Sequence, residues 1–545
     1  RVVASARLLL SGAPMVTVVA WGDLRYGGTA PEVRQEVLDL HATRSAFAAR
    51  LADRSVVAWG DPERGGDPGA AAASLAGGCE RLCSNGGAFA ALRDDGRALA
   101  WGAPEFGGDT AAGAGGAAAA ALLETGVTGL WSTSCAFVAE RRASGEPAAT
   151  LEERLFLRAT VSVDKTAGGA LGLDVKPGEN GRVLDVKSVS EHGLVPDWNR
   201  DFGDDVLVGG VRAGDIIVAV NDVMGAAMAM LEACKQQAMI SLTVERRLGS
   251  PYVLAWGNDT CGGNCVGAPA QTLQDILVRG DRIKDIVSNT YAVAALTDSG
   301  AVVTWGDPEY GADPGAVAGQ LAAGVEKVFR SDGAFAALRE SGRVTTWGCP
   351  QDGGEPSEEV RQRLEGGGVV AICGNADAFA AMCEDGEVLA WGERTSGGSC
   401  EAARAAIEGL GGSTVRQLIA SGYAFAALSV DGGVACWGDP GSGGDSGAVA
   451  TEIASGVRQL YASARAFAAL REDGSVVAWG DPGHGGDLGA AREFLAADVV
   501  DVAATERAFA AVTSERQVVA WGDPAAGGDA TAAAPELCRG ALRVV

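Results

Sequence analysis

The chain has 545 residues, enough for several domains or one large repeat array, with 44 Lys and Arg against 70 Asp and Glu for a net charge of −26. That balance excludes a nucleic-acid or anionic-membrane surface, since both need clustered Lys and Arg. The longest apolar stretch, AAAAALL at 117–123, is far too short to span a bilayer.

The chain opens on RVVASARLLLSG, which could pass for the end of a targeting segment. It aligns better with a repeat found further on, because ASARLLL (4–10) matches ASARAFA (462–468). The reading is a first repeat in a soluble chain processed from an unseen leader, its compartment left open as cytoplasmic or organellar.

The register of the repeat is set by Trp-Gly, which occurs at Trp21, Trp59, Trp101, Trp256, Trp305, Trp347, Trp391, Trp437, Trp479 and Trp521. Twelve residues before most of these lies Phe47, Phe89, Phe335, Phe379, Phe425, Phe467 or Phe509, with Val293 and Leu9 in that place before Trp305 and Trp21. A fixed spacing of twelve means a strand, a tight turn and a return strand. In AFAALREDGSVVAWG (466–480) the two apolar runs flank Asp-Gly, whose residues tolerate the positive φ of a hairpin turn. A third run such as VRQLYAS (457–463) precedes them. Downstream, WGDP leads the chain out, Gly-Gly reverses it, and Asp67, Asp313, Asp445 or Asp487 is placed to cap a short Ala-rich helical turn. One unit of about 42 residues thus holds three strands, and a sheet that small is stabilised by packing on its neighbours.

The pattern ALxxDGxVxAWGxxxxGG resembles the regulator of chromosome condensation repeats, and its short period is closer to the bacterial beta-lactamase-inhibitor propellers of the same superfamily. The resemblance implies an all-β-dominated propeller of about ten Trp-Gly repeats, either one ring or seven blades with an extension. ALRVV (541–545) resembles the strand before each AFAAL and could close a single ring beside the N-terminal blade. Two departures stand out: Ala-Phe replaces the His common before the Ala-Leu strand, and familiar members close at seven blades. Members of the superfamily act as exchange factors, inhibitors or interaction platforms.

The fourth repeat is interrupted, with Trp256 following Phe137 by 119 residues rather than twelve. The division expected is 1–141 for the first repeats, 142–250 for an insert with its flanks, and 251–545 for the rest. The insert offers strands at 155–164, 181–189 and 211–222, a Gly-rich loop into a strand at 168–175, a helix in AAMAMLEACKQQ, and a last strand in ISLTVERR. Together with AGDIIVAVND this resembles a PDZ domain, an α+β module that adds a peptide strand beside one of its own. The resemblance implies a carboxylate-binding loop at Ala170, Leu171, Gly172 and Leu173, a groove continuing along Val175, and helix positions Ala227 and Leu231 facing the peptide. A small residue at Ala227, rather than His, would suit an apolar side chain two before the peptide terminus. The segment 196–210 is longer than usual and is expected to alter or cover the groove. The alternative is a module kept only as a spacer.

Other chemistry is weak. One Asp per repeat does not converge on a calcium ion, and Cys79/Cys83 and Cys261/Cys265 lack the partners of a zinc site. Buried free thiols are expected, with a disulfide in CGGNC left open. No nucleophile–base pair stands out among the residues, His41, His192 and His484 included, so no cofactor, metal or catalytic residue is assigned. The expected function is a non-catalytic scaffold or accessory subunit of a large complex, possibly membrane-associated, that binds a protein partner through a C-terminal peptide. The rival is a regulatory propeller, a guanine-nucleotide exchange factor or inhibitor, acting through one face.

Overall fold

The computed structural model describes residues 5–9, 16–110, 120–142, 156–206, 211–247, 252–401, 404, 407, 415–531 and 541–544, less positions 22, 24, 26, 32, 34, 121, 167–168, 179–180, 222, 259–262, 264 and 266. Within them lie ten three-stranded antiparallel sheets and one of six strands.

The blade at 457–480 shows why the repeat folds as it does. Its strands are Val457–Ala462, Ala466–Arg471 and Val476–Gly480. Phe467 pairs across the hairpin with Trp479, so the spacing of twelve is the register itself. The two rings stack, as do their counterparts in most other blades, with centroids between 5.2 Å and 5.5 Å apart. The turn places Gly474 at φ 79, and Arg54 and Arg516 occupy the corresponding left-handed position in two other blades. Asp481 accepts from the backbone N–H of Gly483 ahead of Pro482, and Asp487 accepts from Gly489 at the start of a short 3-10 turn. The repeated carboxylates are therefore caps, and the helical turn after Gly-Gly is 3-10 in this blade, whereas Gly267–Val278 and Glu358–Gly366 are α-helices at the same place in two others.

Blades join through the tryptophans. Trp479 Nε1 donates to the carbonyl of Gly443 in the preceding blade at 3.1 Å, and the same bond recurs at Trp59, Trp101, Trp256, Trp347, Trp391, Trp437 and Trp521. The series closes on itself, because Trp21 donates to Gly527 in the last blade at 3.0 Å. Strand Ala541–Val544 pairs antiparallel with Ser5–Leu9, so the C-terminus completes the first blade. Of the two arrangements compatible with the sequence, the chain adopts one closed ring of ten blades. The first strands of neighbouring blades touch around the ring and form its inner wall.

The first blade departs from the sequence alignment. Leu9 pairs with Val16 and Ser5 with Ala20, which sets Leu9 beside the turn and not opposite Trp21. The physical reason is the C-terminal strand: it takes the edge place that the first strand holds in the other blades, with Ser5–Leu9 at the centre of the sheet.

A buried polar position escaped the sequence reading. Ser463, 6% exposed, accepts from the N–H of Ala466 and donates to the carbonyl of His484, 21 residues on. Thr43, Asn85, Asn289, Ser331, Asn375, Ser421 and Thr505 make the same long bond. Between these residues runs a belt of backbone bonds from blade to blade, such as Gly422 N–H to Ala464 and Ala464 N–H to Glu506. At the junction after the interrupted blade, Ser134 N–H turns instead to the Ser288 hydroxyl.

The chain leaves the ring after strand Ala136–Arg141 and returns at Tyr252–Gly257, which pair with each other. Between them the six-stranded sheet consists of β1 (Phe156–Asp164), β2 (Leu173–Pro177), β3 (Leu184–Val189), β4 (Ile216–Val220), β5 (Val223–Met224) and β6 (Met239–Arg247), with helices α1 (Leu194–Val206) and α2 (Ala227–Gln236). The strand order is β1-β6-β4-β3-β2, with β5 beside β4, and its own core includes Val161, Leu184, Val186, Val195, Ile217, Met230 and Leu242.

Replacing Ser463 by Ala would strand a buried N–H and a carbonyl in one blade. Chemical denaturation should show a loss of about 1–3 kcal/mol.

Candidate functional site

Strand β2 is the edge of its sheet: β3 pairs along one side, and among the described residues no strand lies on the other. Leu173 and Val175 are half-buried on the face that packs on the core, whereas Asp174 and Lys176 are exposed on the opposite face. The Ser190 N–H donates to the Gly172 carbonyl at 2.8 Å, which makes Leu173 and Val189 a non-hydrogen-bonded pair. The main-chain N–H and C=O of Leu173 therefore face the open edge.

The loop leading into β2 is built by α1 and the end of β3. The Ala170 carbonyl accepts from Leu194 N–H at 3.1 Å, that of Leu171 from Val195 N–H at 3.0 Å, and that of Gly172 from Ser190. In a trans peptide the N–H points opposite to the C=O. Fixing these three carbonyls toward α1 and β3 therefore turns the N–H groups of Leu171, Gly172 and Leu173 the other way. Successive N–H groups aimed into one concavity form an anion-binding nest. Gly172 is needed for two reasons. Its φ is 74, and a Cβ there would sit 2.7 Å from Pro196 Cδ and 2.9 Å from the His192 carbonyl oxygen.

The helix side agrees only in part. Leu231 and Cys234 of α2 are half-buried against the same core. Ala227, expected to face a peptide, is 1% exposed and belongs to that core, with its N–H held by the Gly181 carbonyl. Of the two helix positions, Leu231 alone keeps accessible surface. The segment 196–210, expected to alter or cover the groove, continues α1 as far as Val206, and the first turn of that helix backs the loop from the carbonyl side; residues 207–210 lie outside the described ones.

Among the described cysteines, Cys79, Cys83 and Cys265 are free thiols and Cys135 is disulfide-bonded; in the CGGNC loop Cys265 forms no bridge, and Cys261 lies outside the described residues. Burial pushes the thiol pKa of Cys265 and Cys436 up to about 12 and that of Cys373 to about 11. Cys383, Asp385 and Glu387 lie close enough to share an ion, but Arg363 pairs with both carboxylates.

No family model matches the chain, and no curated protein sequence does. Solved structures of similar trace include human WBSCR16, 19% identical over 46% of this chain and 65% of that one, with a TM-score of 0.26. Yeast RCC1 (Prp20), solved with Kap60 bound to it, is 16% identical over 51% and 67%, with a TM-score of 0.27. The CRINKLY WD40 ectodomain of the Arabidopsis thaliana receptor kinase ACR4 is 15% identical over 50% and 88%, with a TM-score of 0.26. The matched region spans about two thirds of WBSCR16. Overlaps this low carry no functional inference, and the propeller assignment stands on the chain's own strand pairing and indole bonds. Among the described residues no helix is long and apolar enough to cross a membrane.

Gly172→Ala should push Pro196 and the loop apart, lowering the stability of the inserted sheet more than that of the ring. Limited proteolysis would show this as earlier cleavage within 156–247.

Proposed function

We propose that the protein is a non-catalytic interaction scaffold whose inserted domain captures the C-terminus of a protein partner. The domain acts in the manner of a PDZ module, with residues 142–250 forming the arm and its flanks. The observation that carries this reading is the loop at 170–173, whose three carbonyls are bound by α1 and the end of β3, which turns the following N–H groups away from both, beside an open strand edge. An extended segment pairing with β2 would gain main-chain hydrogen bonds, and its terminal carboxylate would be received by the N–H groups of Leu171, Gly172 and Leu173. Leu173, Val175 and Leu231 supply apolar surface for the side chains that turn inward. The closed ring gives the arm a rigid base, and a second contact on the ring would raise the effective concentration for assembly. A peripheral subunit of a large complex fits this arrangement.

The test compares full-length protein with peptides that share one apolar C-terminal sequence and end either in a free carboxylate or in an amide. Calorimetry should show binding of the acid form, at least ten-fold weaker binding of the amide, and loss of both with Leu173→Glu. Equal binding of acid and amide would remove the carboxylate from the account.

A further inference from the structure

The outer face of β2 carries a charge pattern that the groove reading alone does not use. Asp174 and Lys176 are exposed there, on the face opposite Leu173 and Val175. Behind Lys176, β3 contains a bulge: Asp174 pairs with Ser188 and Val175 with Val186, so Lys187 is the extra residue without a partner on β2. Bulges re-aim side chains, and this one brings Lys187 against Lys176. The neighbouring Lys176 amine pushes the Lys187 pKa below the usual lysine value, as expected for two ammonium groups side by side. Asp185, whose carboxylate is 4.0 Å from Lys187, lies on the β3 side, away from the open edge. Lys176 thus stands on the strand that an incoming segment would pair with.

Strand addition fixes which ligand residue meets it. With the carboxylate in the nest at 171–173, an antiparallel segment sets its last residue opposite Leu173 and its third-last opposite Val175, both pointing inward. Because side chains alternate, the second-last residue then lies opposite Asp174 and the fourth-last opposite Lys176, on the outer face. Resting on the groove reading above, we infer that the preferred partner ends in a segment with apolar last and third-last residues and an acidic fourth-last residue, read by Lys176 with Lys187 beside it. The same geometry disfavours an acidic second-last residue, which would face Asp174. A partner whose tail bears Asp or Glu at the fourth-last place is thus selected by position, although the whole chain is strongly acidic. At ordinary ionic strength, charges beyond about 10 Å are screened, so the local pair decides.

Two octapeptides differing only at that place, one ending Glu-Val-Gln-Val and the other Lys-Val-Gln-Val, would be titrated into the full chain at about 0.1 M salt and followed by fluorescence anisotropy. The Glu peptide should bind roughly two- to five-fold tighter, the range for an exposed cross-strand ion pair. Lys176→Glu, an exposed change that leaves the core untouched, should reverse the order. Equal affinities for the wild-type chain, or an order unchanged in the variant, would overturn the charge assignment while leaving carboxylate capture intact. If neither peptide binds the wild-type chain, the groove reading fails and the charge assignment fails with it.

Discussion

The bond from a Trp-Gly indole to a glycine carbonyl of the preceding blade is the constraint on which the ring depends. A buried indole N–H needs an acceptor, and in nine blades that acceptor belongs to the neighbour. Such a blade does not satisfy its own tryptophan, so it is complete only in company. The acceptor must be glycine: Gly443 has φ 94, and a Cβ on it would lie 2.5 Å from Phe467. One contact therefore explains the Trp, the Phe twelve residues before it and the first glycine of Gly-Gly. Because Trp21 finds Gly527, the rule has no exception at the ends, and ten units close where seven are familiar.

Much of this was legible from residues alone. The spacing of twelve reports strand register directly, because Phe and Trp are cross-strand partners, and Asp-Gly and Asp-Pro announce a turn and a cap through local chemistry. What stayed hidden has physical reasons. The buried cap at Ser463 is filled by Ser, Thr or Asn in different blades, since any small side chain that both donates and accepts will serve, so no single letter repeats. The first blade was misaligned because pairing with the C-terminal strand is a contact between chain ends, and similarity among repeats says nothing of it. Ala227 was placed correctly on α2 but not in depth, because a small residue at a helix start fits an open groove and a packed core equally well.

The inserted domain shows the opposite balance. Its main strands and α2 were visible in the sequence, but α1 was not, and neither was the feature with chemical meaning, which lies in the bonds of three carbonyls to backbone groups some 18 to 24 residues later. Those bonds explain why α1 follows β3 so closely: the first turn of the helix and the end of β3 supply the donors that orient the loop. The ring and the arm thus divide the work. Repetition makes a base in which most side chains are committed to packing and capping, and one interrupted hairpin carries a strand edge that pairs with no other strand among the described residues.

Hydrogen exchange of the full chain, read by mass spectrometry with and without a peptide ending in a free valine carboxylate, tests that division most directly. The account predicts slowed exchange confined to 171–177, where nest and edge N–H groups gain partners, with the blade strands unchanged. Protection in the first strands of the blades, with 171–177 exchanging as before, would contradict it and place binding on the ring.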